Sequence, residues 1–105
     1  MDALEIGKEL KKDLMPLFGD QFSKLILFGS YARNDFREDS DVDFMLVLKN
    51  SDLNPFKAIA IANGKVTELW LKYDKVISLC ASNENLVSSY DSPFYHNIRT
   101  EGIEL

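Results

Sequence analysis

The 105-residue chain contains a single cysteine, a single histidine, three prolines and five glycines. One thiol, Cys80, cannot close an internal disulfide, and His96 has no second imidazole with which to bind a metal. No apolar stretch is long enough to span a bilayer and no signal-peptide pattern opens the chain, so the expected setting is a reducing cytoplasm with no membrane partner. Basic residues are the scarcer charge: 12 Lys and Arg stand against 17 Asp and Glu, a formal net charge of −5. That balance argues against direct nucleic-acid binding, which relies on clustered Lys and Arg. There is no internal repeat, low-complexity tract or Pro/Gly-rich linker. With 46% hydrophobic residues, the chain reads as one domain over residues 1–105, long enough for one core and too short for two.

Apolar residues Leu4, Leu10, Leu14 and Phe18, with Gly7 among them, recur at three- and four-residue intervals between charged residues. This predicts an amphipathic first helix that Gly19 stops. Lys24–Phe28 reads as a short strand buried on both faces, and 31–40 as a helical turn followed by a polar loop. Val42–Leu48 carries the strongest strand signal, with Lys49–Asp52 as its turn. A second helix begins at Asp52 or Asn54 with Pro55 in its first turn. Its apolar positions Phe56, Ile59, Ala60, Ala62, Val66, Leu69 and Trp70 keep a mainly helical period, and Asn63-Gly64 is a candidate kink. Lys75–Cys80 reads as a third strand, Asn83–Val87 as a turn or short helix, and Ser92-Pro93 as the start of a last helix ending near Gly102. Cys80 is expected to be a buried small hydrophobe, and Trp70, Tyr73, Tyr90, Phe94 and Tyr95 to be core aromatics. The order α-β-turn-β-α-β-α predicts an α/β (α+β) domain, a small mixed sheet with helices packed on it.

Two features carry chemistry. Side chains alternate across a strand, so Asp41 and Asp43 face the same side about 7 Å apart. Two ionised acids this close repel and resist burial unless a cation lies between them, and magnesium, which takes hard oxygen ligands and retains substrate phosphates in its shell, suits that place. Gly29-Ser30 ends a buried strand, where a glycine admits a phosphate close to the backbone and the next residues offer N–H groups and a hydroxyl. No Gly-Lys-Ser/Thr follows, so this is not a Walker-type loop.

In sequence these features read Leu27-Phe28-Gly29-Ser30-Tyr31-Ala32-Arg33, then Ser40-Asp41-Val42-Asp43-Phe44, with ten residues between Ser30 and Asp41. The phrase resembles the signature of the DNA polymerase β-like nucleotidyltransferase superfamily, in particular its minimal nucleotidyltransferase branch, and the resemblance extends to the closing segment Ser92–Gly102. It implies that Gly29 and Ser30 hold the β- and γ-phosphates, with Arg33 and Ser40 also among the nucleotide-binding residues. Arg33 alternatively pairs with Asp35, Glu38 or Asp39. It implies that Asp41 and Asp43 ligate Mg2+ and are catalytic, and that a hydroxyl attacks the α-phosphate of a nucleoside triphosphate, most plausibly ATP, with pyrophosphate leaving. It further implies an antitoxin role beside a helical HEPN-type ribonuclease toxin, which such proteins adenylylate.

Two departures stand out. Family members often carry glycine after Ala-Arg, and here Asn34, which tolerates a left-handed backbone, takes the place. Active members also place a third carboxylate on the following strand. Ser78 occupies the inward position that suits it, and Asp74, four residues earlier with the same parity, is the alternative source. The sequence therefore supports an enzyme that transfers AMP to a partner protein, and beside it a degenerate module that neutralises its partner by contact alone. With no separate acceptor-binding domain in the chain, the acceptor surface falls to a partner or to a second copy in a homo-oligomer.

Overall fold

The computed structural model describes residues 3–49 and 52–105. Helix α1, Ala3–Phe18, buries Ala3, Ile6, Gly7, Leu10, Leu14 and Phe18 on one stripe, the three- and four-residue period of a helix lying on a core. Gly7 is required by proximity: a Cβ there would collide with Leu105 and the Phe44 ring. After a single 3-10 turn at Gly19–Gln21, strand β1 runs from Phe22 to Phe28. It starts two residues before the expected Lys24, because buried Phe22 already pairs with Leu48 across a bulge.

Helix α2, Ser30–Arg33, is one turn long, and β2 covers Val42–Leu48. The turn expected at Lys49–Asp52 includes Asn50 and Ser51, which lie outside the described residues. Helix α3, Pro55–Tyr73, begins as its sequence dictates: the Asn54 side chain accepts the Phe56 N–H at 2.8 Å and Pro55 fills a first-turn position. It runs through Asn63-Gly64 without interruption. Strand β3 is Ile77–Asn83, two residues later than expected at its start and three later at its end: Asp74 caps α3 in a left-handed conformation, and Lys75 and Val76 complete the turn before the strand. Asn83 caps α4 (Glu84–Ser89) and Ser92 caps α5 (Pro93–Glu101), each through its side-chain oxygen. Two residues, Ile103–Glu104, add a strand β4 that the sequence reading did not foresee.

The sheet order is β3-β2-β1-β4, with β1 antiparallel to β2 and β4 and β2 parallel to β3. The sheet is therefore mixed, with helices on both faces. On one face α1 and α3 cover Leu25, Leu27, Val42, Phe44, Leu46 and Leu48. On the other, Ile26, Met45 and Val47 meet Val87 of α4 and Ile98 of α5. Each fully buried Leu, Val or Phe contributes roughly 1.5–3 kcal/mol, so alternate residues of β2 anchor it from both sides and hold Asp43 at a fixed place. Among the described residues no helix is long and apolar enough to cross a membrane.

Candidate functional site

The end of β1 lies beside the start of β2. Phe28 pairs with Asp43, and the chain then turns away at Gly29 with φ 76° and ψ −155°, a conformation open to glycine and strained for other residues. A Cβ at Gly29 would collide with the Asp43 carboxylate. The glycine thus serves two ends: it makes the turn into α2, and it leaves room for a carboxylate directly over the backbone. Gly29 C=O accepts the N–H groups of Ala32 and Arg33 at 3.1 Å each, which closes the single turn of α2. Asn34, at φ 63°, ends that turn in the left-handed conformation expected for the family's glycine position.

Asp43 is half-buried and Asp41 exposed. Both have the parity of Met45 and Val47, so they point to the α4/α5 face. Burial, and then the neighbouring charge of Asp41, push the Asp43 carboxyl above its ordinary range, while the Arg33 guanidinium opposes the shift. Arg33 does not fully offset these effects on Asp43. Asp41 lies close enough to disfavour the Asp43 charge, and two such hard oxygen donors fit a divalent cation. Among the described residues no cluster of three or more His, Cys, Asp or Glu is gathered for a metal.

The register of β2 and β3 sets Ser78 beside Asp43. Asp74, the other candidate for a third acid, does not enter that ladder. It caps α3 before β3 begins, and it lines a separate shallow cleft with Glu38, Asp39, Ser40 and Lys75. A third carboxylate on the strand would need the side chain that Ser78 replaces. Ser40 closes its own loop, its hydroxyl accepting the Arg37 N–H at 2.8 Å.

Arg33 is drawn toward two acids, with Nε 3.1 Å from Asp35 and Nη1 3.5 Å from Glu101 of α5. It lines a cleft of about 210 Å³ with Phe28, Gly29, Phe94, Asn97 and Glu101. The α5 residues in this cleft were not among the expected site residues. Their signal was present in the spacing of Phe94, Asn97, Ile98 and Glu101, which share one helix face, but nothing in the sequence told which strand that face would meet. Phe94 packs edge-on to Phe28 with centroids 5.8 Å apart, and this fixes α5 against the end of β1. Tyr31, beside the loop, stacks on Phe36 at 4.1 Å. Cys80 is half-buried and its thiol is pushed up to about 11, by burial first and by the Asp43 charge second, which makes it a poor nucleophile.

Comparison with known proteins agrees with this geometry. A family profile described as nucleotidyltransferase domain matches residues 8–98. The chain is 36% identical over 107 residues to the "Putative protein adenylyltransferase MJ0141" of Methanocaldococcus jannaschii, covering all of both chains. It is 34% identical over 96 residues to a second protein of that name and organism, MJ0604, covering 90% of this chain and 89% of that one. In fold it resembles the crystal structure of a "putative nucleotidyltransferase from Sulfolobus solfataricus", with a TM-score of 0.70 at 18% identity over 97% of this chain and 78% of that one. It also resembles a chain of the toxin-antitoxin MntA-HpeT, with a TM-score of 0.61 at 20% identity over 100% of this chain and 72% of that one. Glycine turn, acidic pair and family match together identify the chain as a member of the nucleotidyltransferase domain family, a nucleotidyltransferase built on a four-stranded mixed sheet.

Proposed function

We propose that this nucleotidyltransferase moves AMP from magnesium-ATP to a hydroxyl of a partner protein, and that the partner is a helical HEPN-type toxin for which the chain is the antitoxin. The observation that carries the reading is the Asp43 carboxylate seated over the Gly29 backbone, with Asp41 just before the strand and near enough to disfavour the Asp43 charge. The residues assigned here to phosphate and to metal are thus neighbours. The protein-adenylyltransferase names of the relatives and the toxin-antitoxin neighbours, one of them a complex with AMP-PNP, support the choice of nucleotide and partner.

In this reading Gly29 and Ser30 bind the β- and γ-phosphates, Arg33 steadies them from the adjoining cleft, and Asp41 and Asp43 hold magnesium. The bound metal supplies neutralisation of the triphosphate charge. The acceptor oxygen forms a bond to the α-phosphorus, the bond from that phosphorus to the bridging oxygen breaks, and pyrophosphate leaves with the electron pair. The acceptor proton passes to water or to a base on the partner, since Ser78 offers no carboxylate beside Asp43.

That same serine favours a second reading, in which the chain binds nucleotide and neutralises its partner by contact. Incubation of the purified chain with labelled ATP, magnesium and the partner separates the two. Label on the partner that is lost in Asp41→Asn and Asp43→Asn supports transfer, whereas nucleotide binding without label sinks it. Ser78→Asp, which supplies the absent acid, is expected to raise the transfer rate by about tenfold or more, and an unchanged rate would show that Ser78 does not limit the reaction.

A further inference from the structure

Strand β3 lies at the edge of the sheet. The Val42 N–H donates to the Val76 C=O at 2.9 Å, and Val42 pairs with Ile77. In a parallel ladder this phase turns the backbone groups of Ser78, Cys80 and Ser82 toward β2, and those of Ile77, Leu79 and Ala81, with the N–H of Asn83, toward the open edge, the Asn83 C=O being taken by the first turn of α4. Natural edge strands are usually blunted by charge, proline, a bulge or shortness. The seven residues ISLCASN have none of these protections. The opposite edge differs, since its outermost strand is two residues long and contains Glu104.

The helix flank above this edge is also apolar. Lys72 of α3 bonds Glu9 of α1 at 2.7 Å, so that flank faces α1. At 100° per residue the other flank carries Phe56, Ile59, Asn63 and Trp70. Phe56 is 85% exposed and Trp70 44% exposed, the latter contrary to the expectation that it is a core aromatic.

We propose that β3 and this flank of α3 form a homodimer interface, in which two copies pair β3 antiparallel about a two-fold axis at Cys80. The occupant is a second copy because the edge is complementary to itself. Centred on Cys80, Leu79 meets Ala81 and the C=O of Ile77 meets the N–H of Asn83, giving about six inter-chain hydrogen bonds. No charge opposes its like in this register, and shifting the axis to Leu79 or Ala81 shortens the ladder. The helices fit as well. With strands about 4.8 Å apart, two helices seated over their own β2–β3 pairs lie about 10 Å apart, at the upper end of ordinary helix packing. Antiparallel, they bring Phe56 and Ile59 of one copy toward Trp70 of the other. A strand of about 23 Å beside a helix of about 28 Å offers a face on the order of the ~800 Å² per partner of a stable interface. Gly29 and Arg33 follow β1, one strand further from this edge than β2, so nucleotide access is not blocked.

Sedimentation equilibrium of the purified chain, with hydrogen exchange read residue by residue, tests this. The expected result is a species of twice the 12.0 kDa chain mass, with the outward amides of Leu79 and Ala81 protected more strongly as concentration rises. Ala81→Pro removes one outward N–H without touching the β2 ladder, and Trp70→Glu charges the helix seam. Each is expected to give a folded monomer, with circular dichroism as the check on folding. If one variant fails to fold, the other and the wild-type exchange pattern still decide. A monomeric wild type overturns the proposal, as does a dimer that survives both substitutions, or an edge covered only when a different protein is added.

Discussion

Asp43 is held in place more firmly than it is held ionised. Phe44 and Met45 on either side of the sheet fix the backbone, yet burial and Asp41 both disfavour the Asp43 charge. A carboxyl raised in the folded state binds protons more readily there than in the unfolded chain, so its charge lowers stability as pH rises through the folded value. The penalty is absent below the ordinary aspartate range and complete above the raised one. Asp43→Asn is therefore expected to raise the melting temperature of the metal-free protein at neutral pH, with the gain vanishing at acid pH. An equal gain at both ends would refute the electrostatic cause. Gly29→Ala should do the reverse: a side chain at φ 76° pressed against Asp43 costs roughly 1–3 kcal/mol, and nucleotide affinity should fall with stability in urea titrations and binding assays.

At the level of elements, the helices over the α4/α5 face depend on a few polar ties. The Tyr95 hydroxyl meets Ser82 Oγ at 2.7 Å, and Ser82 is the buried polar residue of β3. Arg99 reaches back to the carbonyls of Val87 and Tyr90 at 2.9 and 3.1 Å. Tyr95→Phe leaves the Ser82 hydroxyl buried without its partner and is expected to cost about 1–2 kcal/mol, while Tyr95→Phe combined with Ser82→Ala should recover part of that loss. A double variant no better than the single would show that the bond is not what matters. Such ties also mark where the sequence was readable. Helix starts with Asn54, Ser92 and Pro55 were legible because capping is local chemistry, and β2 was legible because the apolar run Phe44–Leu48 has few alternatives. β4 was not, since two residues become a strand only because β1 offers an open edge beside them. Trp70 was misplaced in the core because a helical period does not say which of two apolar stripes meets the sheet.

For the whole molecule, the site is a junction of distant segments. The glycine turn follows β1, the acids open β2, Ser78 enters through the parallel pairing of β3, and α5 closes the cleft by setting Glu101 3.5 Å from Arg33. Motif order announced the first two. The third required the β2–β3 register, and the fourth required the packing of α5 on β1, neither of which local sequence states. The central claim is that this junction is a magnesium-dependent nucleotide site, and calorimetric titration with a non-hydrolysable ATP analogue tests it most directly. Saturable binding to the wild type is expected in magnesium, with affinity reduced by at least about tenfold when magnesium is chelated or when Asp41→Asn or Asp43→Asn is used. Binding of equal strength with and without magnesium, and in both variants, would contradict it.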